Sequence, residues 1–294
     1  MTAETRTGLM AGLGAYLIWG LLPLYLKLLA PVPAADVLAH RILWSVLVLT
    51  GIVTIVRGWP RLKAALADRR LLLLLLASAV CIAINWLVYT WAILNGHVLD
   101  TSLGYFINPL VSVMFGVVLL GERLSRLQWL AVGCALAGVL VLTVARGSLP
   151  LISLALAFSF GTYGLIRKQA AVDALTGLFV ETLLLVPIAA LWLGTRPEGP
   201  FGWPVALIGL LALGGVLTAV PLLLFGLAAR RLKLSTVGLM QYIAPSMVFL
   251  QAVFLFGEPL DQWQLTAFLC IWAGLLLYTL SLSRGAVASA AKAR

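Results

Sequence analysis

Polar side chains interrupt several long apolar segments of this chain, and these residues have the chemistry to bind a ligand. Asn85 and Tyr89 are four positions apart, and Tyr105 and Asn108 are three positions apart, just before Pro109. Both spacings place the two side chains of a pair on one face of a helix. Amide and hydroxyl groups are costly to bury in an apolar medium without partners. We therefore predict that these two helix faces border a cavity that binds a polar molecule.

Aromatic and amide side chains in the other apolar segments extend this candidate site. The predicted substrate-binding residues are Trp19, Asn85, Tyr89, Tyr105, Asn108, Tyr163, Gln241 and Tyr242. His40 and Glu181 are predicted to serve as gates or in proton coupling, because both residue types can exchange protons near neutral pH when they are buried. Aromatic rings beside amides suit an amphipathic molecule. The cations Lys27, Arg41 and Lys168, near the predicted entrances, would attract a carboxylate.

Each of these residues also has a structural interpretation. Tyrosine and tryptophan near the ends of apolar segments commonly anchor a protein at a membrane interface. The tryptophans with this interpretation are Trp59, Trp129, Trp203 and Trp263. Asn85 and Asn108 would then hydrogen-bond neighbouring helices, and Glu181 would form an ion pair with Arg167 or Lys168.

Motifs of enzyme active sites are missing from the sequence. It contains no HExxH, GxSxG or P-loop pattern, and its two histidines are too far apart for a metal cluster. The three cysteines lie within apolar segments without a CxxC pattern, which indicates packing rather than a disulfide framework. Glu122 and Glu258 each follow a glycine at the end of an apolar segment, and we interpret both as helix-end residues. The sequence therefore predicts neither an enzyme nor a cofactor.

The composition indicates that the solvent of this chain is lipid. Hydrophobic residues make up 63% of it, charged residues 10%, and the mean hydropathy is +1.09. A soluble domain carries about 25% charged residues. The net charge of +10 comes from basic residues in the short connectors, as in the positive-inside pattern of membrane proteins, so we exclude nucleic acid as a partner.

Ten segments are long and apolar enough to be membrane spans of roughly 20 residues. They are residues 8–29, 36–56, 70–93, 101–120, 127–145, 149–167, 174–194, 203–228, 236–256 and 262–283. The first is too long for a signal peptide, so we predict that it is retained. With both termini in the cytoplasm, 16 of the 20 basic residues lie on the inner side, which fixes the predicted orientation.

The two halves of the chain resemble each other. Segments Gly104–Leu124 and Met240–Leu260 both contain a proline followed thirteen positions later by a glutamate, and the two prolines are 136 positions apart. We therefore divide the chain into two repeats, residues 1–147 and 148–294, which form one membrane domain. Because each repeat has five spans, the second must enter the membrane from the opposite side. The predicted fold is all-α, with ten transmembrane helices in two inverted repeats, as in many secondary transporters.

A specific group of residues resembles a known family. The run HRILWS at residues 40–45, the block GYFINPL…LGERLSRLQWLAV at residues 104–132 and the run YGLIRK at residues 163–168 are similar to the RarD proteins. These form part of the EamA branch of the drug/metabolite transporter (DMT) superfamily, and the resemblance covers essentially the whole chain. It implies a ten-helix permease of the bacterial inner membrane. At the level of the fold the chain also resembles the YddG proteins, which export aromatic and other amino acids.

Together, these observations predict a transporter that exports small amphipathic metabolites, with amino acids as the first candidates, by alternating access. An uncoupled or proton-coupled permease for another metabolite or drug is an alternative. More distant alternatives are a membrane enzyme acting on a lipid-linked substrate, which would need a polar cluster at one interface, and a scaffold that transports nothing. The predicted partners are the lipid bilayer and a small-molecule substrate.

Overall fold

The computed structural model describes residues 3–120, 124–197, 199, 201–232 and 240–292, and within these ranges the regular elements are helices. The helices are α1 (Ala3–Leu28), α2 (Ala34–Ile55), α3 (Trp59–Ala67), α4 (Arg69–Leu94), α5 (Val98–Leu120), α6 (Arg126–Arg146), α7 (Leu151–Gln169), α8 (Ala174–Gly194), α9 (Val205–Arg231), α10 (Ile243–Leu250) and α11 (Gln262–Lys292). A short π-helix, Gln251–Leu255, continues α10. Glu122 lies outside the described residues.

Seven of the helices in the described ranges are long and apolar enough to cross a membrane, namely α1, α2, α4, α6, α8, α9 and α11. Leucine-rich segments with few charges form these helices because a helix satisfies every backbone hydrogen bond internally. The other three predicted spans overlap the described helices α5, α7 and α10. The fold is therefore that of an all-helical, multi-pass membrane protein.

Helix α3 lies between the second and third predicted spans, where the sequence analysis predicted no helix. Pro60 stands in its first turn, where the missing backbone N–H is not needed. Leu62 and Ala65, three positions apart, are buried against α4 and α8, while Arg61 and Lys63 are exposed. The helix is too short and too polar to span a membrane, and it packs as an amphipathic connector.

The ninth predicted span is broken. A turn at Gln241 and Tyr242 precedes α10, three residues before Pro245. Proline clashes with the carbonyl four positions earlier, so a helix tends to end or kink in the turn before it. By contrast, Pro23, Pro109 and Pro221 lie within unbroken helices.

Helices from the two halves of the chain pack against each other throughout the bundle. The main pairs between them are α1 with α9 and α10, α2 with α8 and α9, α4 with α7, α5 with α7, and α6 with α11. Gly12 faces Met240 and Gly20 faces Met247, so α1 runs parallel to α10. Gly138 of α6 faces Ala267 of α11, and Gly274 of α11 faces Ala131 of α6, so α6 and α11 are antiparallel.

Ion pairs and a helix cap hold the two halves together at the end of the bundle that is predicted to face outward. Both oxygens of the Asp36 carboxylate are engaged, one by the indole of Trp192 at 2.8 Å and the other by the guanidinium of Arg196 at 3.0 Å. Glu258 accepts hydrogen bonds from the backbone N–H groups of Val98 and Leu99, at 2.7 and 2.8 Å. Glu258 therefore caps α5, a helix of the other half.

Candidate functional site

Asn85 is the hub of the candidate site. It lies on α4 and is 1% exposed. Its amide nitrogen donates to the carbonyl oxygen of Leu156 at 3.1 Å and to the hydroxyl of Ser159 at 3.0 Å, both on α7. Its amide oxygen accepts a hydrogen bond from the hydroxyl of Tyr105, on α5, at 2.8 Å. A single side chain therefore joins three helices at the contact between the two halves.

A path of aromatic rings leads away from this hub. The Tyr105 ring lies 5.7 Å from that of Tyr89 and 5.8 Å from that of Phe160, edge to face in both cases. The Phe160 ring in turn lies 5.8 Å from that of Tyr163. We call Tyr89, Tyr105, Phe160 and Tyr163 the aromatic path. It brings together three predicted substrate-binding residues and adds Phe160, which the sequence analysis omitted because only its polar neighbours were considered.

Glu181 stands at one end of the aromatic path. Its carboxylate accepts hydrogen bonds from the hydroxyl of Ser78, at 2.5 Å, and from that of Tyr163, at 3.5 Å. The guanidinium of Arg167 lies 3.6 Å away, and the carboxylate is 1% exposed. Of the two ion-pair partners considered from the sequence, the structure places Arg167 beside Glu181. A buried acid within reach of hydroxyls and a cation has the groups needed to exchange a proton.

Arg41 stands near the other end of the aromatic path. Its guanidinium is stacked 5.2 Å from the ring centre of Trp86, and its Nε donates to the hydroxyl of Thr218 at 3.1 Å. It also lies close enough to Tyr89 and Tyr105 to interact with them electrostatically. The sequence identified Arg41 only as a cation near an entrance, because nothing local shows that Trp86 and Thr218 surround it.

Two adjacent glycines of α9 make room for α2 at this point. A Cβ atom on Gly214 would lie 2.9 Å from Cγ of Arg41, and one on Gly215 would lie 2.5 Å from the carbonyl carbon of Trp44. The hydroxyl of Ser45 donates to the carbonyl oxygen of Gly215 at 3.4 Å. Small residues allow helix backbones to approach this closely in lipid. The approach of α9 brings Thr218 to Arg41.

The other predicted site residues are distributed around this centre. Asn108 is buried on α5, where its Oδ1 would lie 3.5 Å from a Cβ atom on Gly161 of α7. His40 is buried on α2, next to Arg41. The ring of Trp19 packs against Tyr16 and Phe225.

Tyr242 also belongs to a different cluster. Its ring stacks on Phe106, which contacts Phe268 and Trp272 of α11. Gln241 is half-buried in the turn before α10. The structure thus joins Asn85, Tyr89, Tyr105, Tyr163 and Glu181 into one connected group and places Trp19 and Tyr242 in separate aromatic clusters.

Asn85, Tyr89 and Glu181 are buried in this conformation, whereas Tyr105, Phe160 and Tyr163 are partly exposed. Two open crevices occur elsewhere. One runs along α6 beside Trp129, and the other lies between α3, α4 and α8 beside Asp173. Neither crevice includes a predicted substrate-binding residue.

Comparisons with known proteins identify the family. The EamA-like transporter family matches the chain twice, over residues 6–144 and 148–280. The protein RarD of Escherichia coli is 45% identical over 281 residues, covering 94% of this chain and 95% of that protein. An uncharacterized transporter of Pseudomonas aeruginosa is 48% identical over 286 residues, covering 95% of each chain. A solved crystal structure shares the fold with a TM-score of 0.63 at 22% identity, covering 95% of this chain and 98% of the other. The chain therefore belongs to the EamA-like transporter family of the DMT superfamily and is a multi-pass membrane transporter of the RarD type.

Proposed function

We propose that this protein is an inner-membrane exporter of small amphipathic metabolites, with amino acids, including aromatic ones, as the first candidates. It works by alternating access: two inverted five-helix repeats, residues 1–147 and 148–294, rock around a central site. The observation that carries this proposal is the buried junction at Asn85, where amide and hydroxyl groups meet aromatic rings between the two halves.

The helix pairing supports the inverted repeat. In the proposed repeats α1 corresponds to α7, and α10 corresponds to α5. The contact between α1 and α10 therefore has its equivalent in the contact between α7 and α5. Both pairs run parallel, since Gly104 of α5 faces Ser153 of α7 and Gly161 of α7 faces Val111 of α5. In the proposed repeats α5 corresponds to α10 and α6 corresponds to α11. Helix α5 packs against α10 and α6 packs against α11, and both pairs are antiparallel. Counterparts that run in opposite directions are expected of an inverted repeat.

The chemistry of the interior supports an amphipathic substrate. The aromatic path offers ring faces and edges, which contact apolar or aromatic groups favourably. The hydroxyls of Tyr105 and Tyr163 donate to Asn85 and Glu181, and their oxygens can still accept hydrogen bonds from a polar head. The amide nitrogen of Asn85 becomes available when its contacts with α7 open. Because Asn85 and Tyr89 are buried, the substrate reaches them only when the halves separate. We include Trp19, Asn108, Gln241 and Tyr242 as residues that line the open site, with His40 and Glu181 as the gating or proton-coupling pair.

Transport into proteoliposomes tests this function. Purified protein is reconstituted, and the uptake of radiolabelled amino acids is measured with and without excess unlabelled substrate. We expect saturable flux that the unlabelled molecule competes away. A permease for another metabolite or drug would give saturable flux only for other members of a wider metabolite panel. The proposal would be contradicted if no compound gave flux although a thermal unfolding measurement showed that the protein was folded.

Labelling of single cysteines tests the orientation. We propose that the connector at residues 57–70 and the connector at residues 230–233 both face the cytoplasm, as do the two termini. A membrane-impermeant thiol reagent applied to intact cells should modify a cysteine in neither connector, and it should modify both in inside-out vesicles. Cys81, Cys134 and Cys270 are first replaced by serine or alanine. Modification of only one connector from each side would rule out the inverted repeat.

A further inference from the structure

We propose that Arg41 binds the carboxylate of the transported molecule. This inference rests on the proposed transport function and specifies its substrate class as a carboxylate-bearing molecule with an apolar or aromatic body.

Arg41 is a buried cation that has no acidic partner among the described residues. Its side chain is 3% exposed, and in the described part of the chain no aspartate or glutamate forms an ion pair with it. Two other arginines from the same end of the bundle are different. Arg196 pairs with Asp36, and Arg146 pairs with Asp100. A buried charge is normally paired, because desolvating it alone is strongly unfavourable.

The guanidinium of Arg41 is held by its neighbours on one edge and one face. Thr218 occupies Nε and the Trp86 ring covers one face, while the Nη1 atom is buried and has no hydrogen-bond partner among the described atoms. Arginine presents its donors in a planar fork that matches a carboxylate. The guanidinium is therefore held in place by two neighbours and keeps donor capacity for an incoming anion.

The surroundings of Arg41 suit a carboxylate better than a phosphate. Three tyrosines, Tyr25, Tyr89 and Tyr105, lie close enough to Arg41 to interact with it electrostatically. The hydroxyl of Tyr25 already donates to the carbonyl oxygen of Leu210 at 3.0 Å, and that of Tyr105 donates to Asn85. One cation in an aromatic surrounding suits a monoanion attached to an apolar body. A phosphate dianion would need more positive charge and more donors than this site supplies.

The position of Glu181 shows which group of an amino acid is recognised here. Arg41 contacts Trp86 and Glu181 contacts Ser78, both on α4 and eight positions apart. Eight residues of helix extend about 12 Å. An α-amino acid, which carries both charged groups on one carbon atom, cannot reach both sites at once. At Arg41 the carboxylate is therefore recognised without help from Glu181, and an acid without an amino group binds as well.

The test compares three probes of similar shape: L-phenylalanine, its neutral-carboxamide analogue phenylalaninamide, and 3-phenylpropionate, which lacks the amino group. Binding to the purified full chain is measured by the ligand-dependent shift in thermal unfolding, and transport is measured by counterflow in proteoliposomes. We expect the two carboxylates to bind at least about tenfold more tightly than the amide, as expected of a charge-assisted bidentate contact.

Variants then assign this preference to Arg41. Arg41→Gln should weaken both carboxylates by about tenfold or more and leave the amide unchanged, while Arg41→Lys, a cation without the fork, should retain part of the preference. Arg196→Gln, which removes an arginine already paired with Asp36, is the matched control and should keep the wild-type preference.

The outcomes separate this inference from the proposed function. Wild-type protein that transports phenylalanine but does not prefer carboxylates would overturn the role of Arg41 and leave the transport function intact. An unchanged preference in Arg41→Gln would do the same. If Arg41→Gln does not fold, the decision falls to the wild-type preference and to Arg41→Lys. If only phenylalaninamide or other cations gave saturable flux, the inference would be overturned. If no compound gave flux, the proposed function itself would be overturned.

Discussion

Ser78 and Thr218 each contact, through a hydroxyl, a charged residue contributed by the other half of the chain. Ser78 on α4 donates to the carboxylate of Glu181 on α8, and Thr218 on α9 accepts from Nε of Arg41 on α2. In the proposed repeats α4 corresponds to α9, and α2 corresponds to α8. Helices that correspond in the proposed repeats therefore carry opposite charges here, a cation near one end of the aromatic path and an acid at the other. This asymmetry gives the two sides of the central site different chemistry.

The hub residue should be essential for transport. Asn85→Ala removes three hydrogen bonds at once, and Tyr105→Phe removes one of them. Each is worth about 0.5–1.5 kcal/mol, so we expect transport to fall by about tenfold or more for Asn85→Ala and less for Tyr105→Phe.

The control for the hub is Asn95→Ala, at the exposed end of α4, which should transport normally. Tyr89→Ala and Asn108→Ala are also expected to reduce transport without lowering the amount of protein in the membrane. Initial rates, normalised to the protein measured in the same membranes, provide the comparison. Wild-type rates for Tyr89→Ala and Asn108→Ala would remove both residues from the site.

Glu181 should determine how transport depends on pH. If its carboxyl gains and loses a proton in each cycle, then Glu181→Gln, which cannot ionise, gives a rate that is nearly independent of pH. Flux is measured from pH 5 to pH 8 with the same pH on both sides of the membrane. Glu4→Gln, an exposed acid at the start of α1, is the control and should retain the wild-type profile. An unchanged profile in Glu181→Gln would assign Glu181 to its ion pair with Arg167.

Much of the fold follows from the sequence because hydrophobic length is a local property. An apolar run near 20 residues specifies a helix in lipid, and the seven described helices that are long and apolar enough to cross a membrane each coincide with a predicted span. The amphipathic helix α3 was not predicted because its apolar positions, Leu62 and Ala65, are too few to give a clear pattern. The break before α10 depends on Pro245, whereas Pro109 in the matching position leaves α5 continuous. Tertiary packing decides whether a proline breaks its helix, and the local sequence carries no information about that packing.

The candidate site was predictable only in part for the same reason. Asn85 and Tyr105 were identified because amides and hydroxyls are conspicuous in apolar segments, and the structure joins them. Thr218 and Phe160 attract no notice in sequence, since a threonine and a phenylalanine are ordinary residues of a membrane helix. Their importance comes from the helices opposite them, which bring Arg41 to one and Tyr105 to the other.

The contact between α2 and α9 should tolerate no added side chain. Gly215→Ala places a methyl group against the backbone of Trp44, which cannot move aside as a flexible side chain would. We expect a loss of stability of about 1–3 kcal/mol, typical of overpacking, together with reduced transport. Gly209→Ala in the same helix meets no atom within 4 Å and should be neutral or slightly stabilising. Thermal unfolding in detergent measures both variants, and equal effects would contradict the close approach.

The cap that Glu258 forms on α5 should stabilise the contact between the halves, and it should do so in a pH-dependent way. Glu258→Ala leaves the N–H groups of Val98 and Leu99 without their acceptors, so we expect a loss of about 1–2 kcal/mol, the usual effect of removing a helix cap. Burial raises the pKa of Glu258 above its ordinary value of 4.5, although the two N–H groups and Lys27 oppose the shift. A raised carboxyl pKa means that the fold favours the protonated form. That contribution is complete below about pH 4.5 and disappears as the pH rises through the raised value.

Glu258→Gln isolates this effect, because glutamine is neutral at every pH and keeps an acceptor oxygen. The unfolding temperature of the wild type minus that of Glu258→Gln should therefore fall as the pH rises from 4 to 7. The comparison removes the contributions of the other acids, since both proteins share them. A difference that grows with pH would mean that the N–H groups and Lys27 outweigh burial. The ionised form of Glu258 would then be the one that holds α5 against the second half.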